Sequence, residues 1–200
     1  MKIIELIIDE ENEDNGITAI SLVEKPAIEE NWVALKKTEE IKFAQVDKDK
    51  RILLGPALIP NKPIFRKGIE EDYYIFFSKD TVKKASELFF VKGNQNKSTL
   101  EHQLPLTGLT VVESWIVEDS KKDKTALYDM NLPVGSWMVS MRVDSDEIWN
   151  EYVKKGKVRG FSIEAYFSDK MERPKDKTLV EQAEANKLIE TIKEILSKDE

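Results

Sequence analysis

The chain has 200 residues, a formal net charge of −7 and no cysteine. That length suits one domain, or one domain with a tail, and is long enough to bury a sizeable core. Lys and Arg are interspersed among more numerous Asp and Glu, so no basic footprint argues for nucleic acid or an anionic membrane. Thiol nucleophiles and Cys-ligated zinc are excluded, and the single histidine, His102, cannot build a His-rich metal site.

The N-terminal run Met1 to Asp9 is too short and too interrupted by charge to read as a signal peptide or a membrane span, and no later apolar run approaches about 18 residues. A cytosolic location is expected, and the lack of cysteine agrees with it. Ile3 to Ile8 and Ile17 to Val23 are apolar, β-branched runs separated by the acidic stretch Asp9 to Gly16, which predicts an antiparallel hairpin. Lys25-Pro26 stops the second strand, and Glu29 to Thr38 reads as a surface connection anchored by Trp32 and Leu35.

Ile52 to Pro60 reads as a buried strand whose Gly55-Pro56 step demands a bulge or an edge position, because proline brings no N–H to the ladder. Ile64 to Arg66 and Tyr73 to Phe77 are further strands. Ser78 to Asp80 supply capping side chains for a helix with Val82, Ala85, Leu88 and Phe89 on one face, ending near Gly93. A polar loop leads to Thr99-Leu100-Glu101-His102.

Leu109 to Glu118 and Gly135 to Val143 read as strands. Asp144 to Glu147 opens a short helix with Ile148, Trp149, Tyr152 and Val153 on its apolar side, and Gly156 stops it. In the strand that follows, alternation puts Phe161, Ile163, Ala165 and Phe167 on one face and Ser162, Glu164 and Tyr166 on the other. From Met171 the composition changes: Pro174 punctuates, and Thr178 to Glu181 is a capping box opening a charged amphipathic helix. The expected fold is α+β, mainly antiparallel β, over residues 1–170, with a helical C-terminal extension over 171–200.

Any imidazole-assisted nucleophilic catalysis in this chain must use His102, since a neutral imidazole can take a hydroxyl proton near physiological pH. Spacing alone does not choose the nucleophile, because catalytic triads occur in any chain order. A serine on the polar face of a half-buried strand, such as Ser162, needs no function by itself. Three carboxylates could orient the ring: Glu113, Glu164 and Glu101. Glu113 is the first choice, because a carboxylate inside the apolar run Val111 to Ile116 is costly unless partnered. Glu164 shares a face with Ser162, while Glu101 is badly placed to face its own neighbour. Phosphate-loop, dinucleotide, zincin and hydrolase-elbow motifs are all missing, and no cofactor is expected. The four tryptophans lie in apolar patterns and read as core.

Six segments in order carry a resemblance: Ile20 to Ile28 (ISLVEKPAI), Gly55 to Pro60 (GPALIP), Glu101-His102, Glu113 to Val117 (ESWIV), Pro133 to Met138 (PVGSWM) and Gly160 to Glu164 (GFSIE). Together they resemble the prohead serine proteases of tailed phages and defective prophages. The resemblance implies a capsid-maturation protease with an assemblin-like fold, a β-barrel-like core covered by helices. It implies action on scaffold protein and on extensions of the major capsid protein, and on the protease itself, in the interior of the immature phage head within the cytoplasm of the bacterial host. It places His102 as the catalytic histidine and Ser162 as the nucleophile, with an acid where assemblins use a second histidine; Glu113 is retained for that role. A homo-oligomer, expected to be a dimer, follows from the same likeness. The competing expectation is a non-catalytic head-assembly or scaffold-interaction protein that keeps the protease fold and uses the helix of Thr178 to Lys198 as its contact surface.

Overall fold

The computed structural model describes residues 2–9, 12, 14–27, 33–35, 50–68 and 71–170, with backbone alone at 33–35, 169 and 170. Trp32 and the proposed C-terminal helix lie outside the described residues. Twelve strands and one α-helix are present among them: β1 (Lys2–Ile7), β2 (Gly16–Val23), β3 (Val33–Leu35), β4 (Ile52–Leu58), β5 (Ile64–Arg66), β6 (Tyr73–Phe77), α1 (Lys79–Val91), β7 (Ser98–Leu100), β8 (Leu104–Leu106), β9 (Leu109–Ile116), β10 (Trp137–Val143), β11 (Gly160–Tyr166) and β12 (Ser168–Lys170). A 3-10 turn spans Lys124–Tyr128 and a π-helical turn Ile148–Val153.

The strands form three four-stranded sheets, ordered β12-β1-β6-β5, β3-β4-β10-β9 and β11-β2-β7-β8. The α+β expectation agrees with this broadly, since one helix packs among sheets that are mostly antiparallel. The described strands do not close into a barrel. β5, β7, β8 and β12 have only three residues each, too few ladder bonds to carry a sheet round to its own far edge.

Strand positions follow the hydrophobic runs, but partners do not follow chain order. β1 and β2 are not a hairpin: β1 lies parallel to β6 and antiparallel to β12, whereas β2 lies between β11 and β7. Both strands bury residues of either parity, Ile3 with Ile4 in β1 and Ile20 through Val23 in β2. A two-stranded hairpin covers only one face, so central places in separate sheets remove more apolar surface from water.

Three registers slip by one residue, each leaving a residue unmatched: Ala57 in β4 against β10, Val112 in β9 against β10, and Thr18 in β2 against β11. The first accommodates Pro56 as a bulge, although β4 is an interior strand of its sheet rather than an edge. In the third, the Thr18 hydroxyl donates to the Glu164 carbonyl oxygen at 3.1 Å, supplying a hydrogen bond where the ladder is interrupted.

Helix α1 begins where expected. Ser78 caps it, its Oγ accepting from the Thr81 amide at 3.4 Å, and Gly93 at φ +67° turns the chain out of it. Val82, Ala85 and Phe89 face the core, and the Phe89 ring meets the buried Trp137 indole edge-on with centroids 5.5 Å apart. Gly135, at φ +99° in the turn before β10, admits no side chain: a Cβ there would lie 2.8 Å from Lys79 Cγ. The Phe89–Trp137 contact docks the helix on the β10 sheet, so Phe89→Ala should cost about 3–5 kcal/mol in urea unfolding. A loss below about 1 kcal/mol would show that α1 is not anchored there.

Candidate active site

β2 is the organising strand of the site. Its Ser21 is matched to Ser162 of β11 on one side and to Thr99 of β7 on the other, so three hydroxyl-bearing residues run in a row across the sheet. Side chains of matched residues leave a sheet from the same face. Ser21 is completely buried in the apolar run Ile20 to Val23, and a buried hydroxyl needs partners. It has two: Oγ donates to the Thr99 carbonyl at 3.4 Å and accepts the His102 backbone N–H at 3.0 Å.

That second bond positions the histidine. His102 lies in the three-residue connection between β7 and β8, where Leu100 and Leu104 are matched and the Gln103 amide bonds back to the Leu100 carbonyl at 3.0 Å. Glu101 and His102 sit at φ +50° and +58°, two consecutive non-glycine residues in the left-handed region. Tight hairpins of this sense ordinarily place Asn-Gly there. Each such residue costs on the order of 1–3 kcal/mol and persists only where surrounding bonds enforce it. Here they do: the Glu101 amide donates to the Leu22 carbonyl at 3.0 Å, and the Glu101 carboxylate accepts the Glu24 amide at 2.6 Å. Glu101 is therefore committed to the backbone of β2 and its exit, and does not serve His102.

The carboxylate beside the imidazole is Glu164. Its Oε1 lies 3.5 Å from His102 Nδ1, with both side chains partly exposed at 30% and 41%. The Thr99 hydroxyl also donates to Glu164 Oε1. The contact is electrostatic rather than a hydrogen bond, and a carboxylate beside Nδ1 favours the tautomer that carries its proton there. Ser162 stands two residues before Glu164 on the same strand face and directly opposite Ser21. The structure thus brings His102, Ser162 and Glu164 to one face of one sheet. The Ser162 hydroxyl makes no hydrogen bond to the imidazole among the described residues; such bonds are often long before substrate binds.

Ser162 also opens onto a cleft of about 860 Å³, walled by Ile4 and Leu6 of β1, Ile64 and Arg66 of β5, Tyr73, Ile75 and Phe77 of β6, and Phe161, Ile163 and Ala165 of β11. β11 is an edge strand of its sheet, so Ser162, on the strand face it shares with Glu164, stands at the border of this cleft. Sequence reasoning did not single out Ser21, Thr99 or Arg66. For Ser21 the available signal was a hydroxyl inside an otherwise apolar run, which has to be hydrogen-bonded to something.

Glu113 is placed elsewhere. It lies on β9, in another sheet, matched to the buried Ser140 of β10, whose hydroxyl donates to its Oε2 at 2.5 Å; Lys124 Nζ lies 2.6 Å from the same oxygen. The partner that its strand position demanded is this Ser140–Lys124 pair, not His102. Lys124, then Ser140, hold the Glu113 carboxyl below the usual carboxylate range. A lowered folded-state pKa gives stability that is present above the unfolded value and lost as pH falls through the folded one. Since Glu113 is half exposed, the effect is small. Glu113→Gln should lower unfolding stability at pH 7 by less than about 1 kcal/mol, and the gap to wild type should close below about pH 3. A gap that widened on acidification would contradict this assignment.

No curated protein and no solved structure matches the chain. The family described as "Putative phage serine protease XkdF" matches residues 40–172, more than half of the chain and a span containing His102, Ser162 and Glu164. Its serine-protease description accords with a serine that lines a cleft and shares a strand face with the carboxylate beside the imidazole, and the chain belongs to this phage serine protease family.

Proposed function

We propose that the protein is a serine endopeptidase of phage head maturation, with Ser162 as nucleophile, His102 as general base and Glu164 as the group that orients the imidazole. The observation that carries this reading is the Glu164 carboxylate at His102 Nδ1, on the strand and face that bear Ser162. The proposed substrates are the scaffold protein and extensions of the major capsid protein, cut within the immature head in the host cell, with self-cleavage and a dimeric assembly as further parts of the reading. The phage-protease family supports the setting. Kinship with the assemblin fold rests on the order of the sequence motifs.

In the proposed reaction His102 Nε2 takes the Ser162 hydroxyl proton as Oγ attacks a peptide carbonyl carbon, and the carbonyl electron pair moves onto oxygen. Backbone N–H groups at the cleft stabilise that oxyanion. Collapse breaks the C–N bond, and the departing amine takes the proton from His102. Water then attacks the Ser162 ester with His102 again as base, releasing the acid and restoring the serine. The Glu164 carboxylate stabilises the imidazolium as it forms. Thr99 and Ser21 are positioning residues: one holds the carboxylate, the other the histidine backbone.

Co-expression with the scaffold protein tests the assignment. Ser162→Ala and His102→Ala should each reduce processing by about 10³-fold or more. Undiminished processing by either variant would end the proposal. Glu164→Gln should lower kcat about 10²-fold or more, through loss of the favoured tautomer, with KM nearly unchanged. Glu113→Gln should leave kcat within about threefold of wild type, the ordinary scatter for a group remote from the reacting atoms. A fluorophosphonate probe separates this reading from a non-catalytic head-assembly protein, which would show no labelling dependent on Ser162.

A further inference from the structure

The cleft beside Ser162 combines apolar wall residues with four charged ones, Lys2, Arg66, Lys67 and Glu71, and Lys2 and Arg66 flank Tyr73 at the same level of the β1-β6-β5 sheet. Three cations against one anion is the reverse of the chain's net charge of −7. Lys2, Lys67 and Glu71 are exposed, where water solvates them, but Arg66 is half-buried. Among the described residues its side chain makes a single hydrogen bond, from Nη1 to the carbonyl of its neighbour Phe65 at 2.9 Å, and no carboxylate pairs with it. A guanidinium offers five N–H donors in a planar fork that matches a carboxylate, and a partly desolvated one without an anion is costly. Burial accordingly depresses the Arg66 pKa, with Tyr73 opposing that shift. Glu71 lines the same cleft and does not form the pair.

We infer that Arg66 determines specificity in this cleft, selecting a peptide that places an acidic side chain among apolar neighbours as the segment lying across Ser162. The inference rests on the protease reading for the identity of the ligand as a peptide, but not on turnover. Ile64, Ile75, Phe77 and Ile163 provide the apolar contacts and exclude water, which strengthens a charge-assisted bond between a substrate Glu or Asp and the fork of Arg66. A small inorganic anion would satisfy the guanidinium and leave the trough unfilled.

Binding can be read independently of catalysis by using full-length protein carrying Ser162→Ala and fluorescent apolar peptides that differ only in one Glu or Gln. Fluorescence anisotropy should show the Glu peptide binding about tenfold more tightly, as expected for one desolvated charged hydrogen bond. Adding Arg66→Gln should abolish the preference, and Arg66→Glu should transfer it to a Lys peptide. Lys67→Gln should leave most of the preference in place. Equal binding of the Glu and Gln peptides, no peptide binding at all, or an equal loss from Lys67→Gln and Arg66→Gln would overturn the inference, the last because it would reveal a diffuse field rather than a seat at Arg66. Circular dichroism of each variant confirms folding. A preference that depends on Arg66, together with wild-type protein that hydrolyses none of these peptides or the scaffold, would sustain the specificity assignment while overturning the protease reading.

Discussion

The site depends on one bond: the His102 amide held by the hydroxyl of Ser21, a fully buried serine midway along β2. His102 belongs to a tight connection between two three-residue strands, a poor scaffold for a side chain that has to be accurately placed. Ser21 lends it the rigidity of β2, which is paired on both sides and packed beneath α1. Because Ser21 is matched to Ser162, the anchor of the histidine and the proposed nucleophile are cross-strand neighbours. A shift of one residue between β2 and β11 would send Ser162 to the opposite face and separate them.

Register therefore has to be strongly defined, and the Thr18 bulge contributes to that definition. Up to Glu164 the strands match residue for residue; beyond it β2 carries one extra residue, whose hydroxyl bonds to the Glu164 carbonyl. An interrupted ladder with a side chain engaged at the interruption cannot slide without losing that bond. Glu164 is thus fixed at its backbone by Thr18 and at its carboxylate by Thr99, which leaves little freedom in the oxygen that faces His102. The left-handed backbone at Glu101 and His102 fits the same pattern. Strain at two adjacent residues is retained by bonds to Leu22, Glu24 and Ser21, all on β2 or just past its end.

Much of this was visible in the residues. Hydrophobic runs located the strands, Ser78 and Gly93 marked the ends of α1, and Gly55-Pro56 forecast a bulge, because each of these signals is local. Pairing was not legible. β1 and β2 read as a hairpin because they are neighbours in sequence, and nothing in either run names β6, β7, β11 or β12 as a partner. The Glu113 argument shows the same boundary. A carboxylate in an apolar strand does need a partner, and Glu113 has two; but the partners, Ser140 and Lys124, come from a matched strand and a nearby turn that only the fold brings close. For Glu164 the alternation of β11 placed it beside Ser162, whereas its approach to His102 required the path of β7 across β2.

β11 has a second consequence. Ser162 and Glu164 project toward Ser21, Thr99 and His102, while Phe161, Ile163 and Ala165, together with Ser162 itself, line the wall of the trough that ends at Arg66. One short strand thus couples the chemical groups to the surface that would seat a peptide. A substitution on the trough face such as Ile163→Asp would put a charge into apolar packing and tilt the strand that carries Ser162, so chemistry and recognition would fail together. Arg66 is attached differently. It stands on β5, in the sheet across the cleft, and shares no strand with the hydroxyl or the imidazole. Its charge can change while the geometry of Ser162, His102 and Glu164 stays intact, which makes it the place where selection of a substrate is separable from the reaction performed on it.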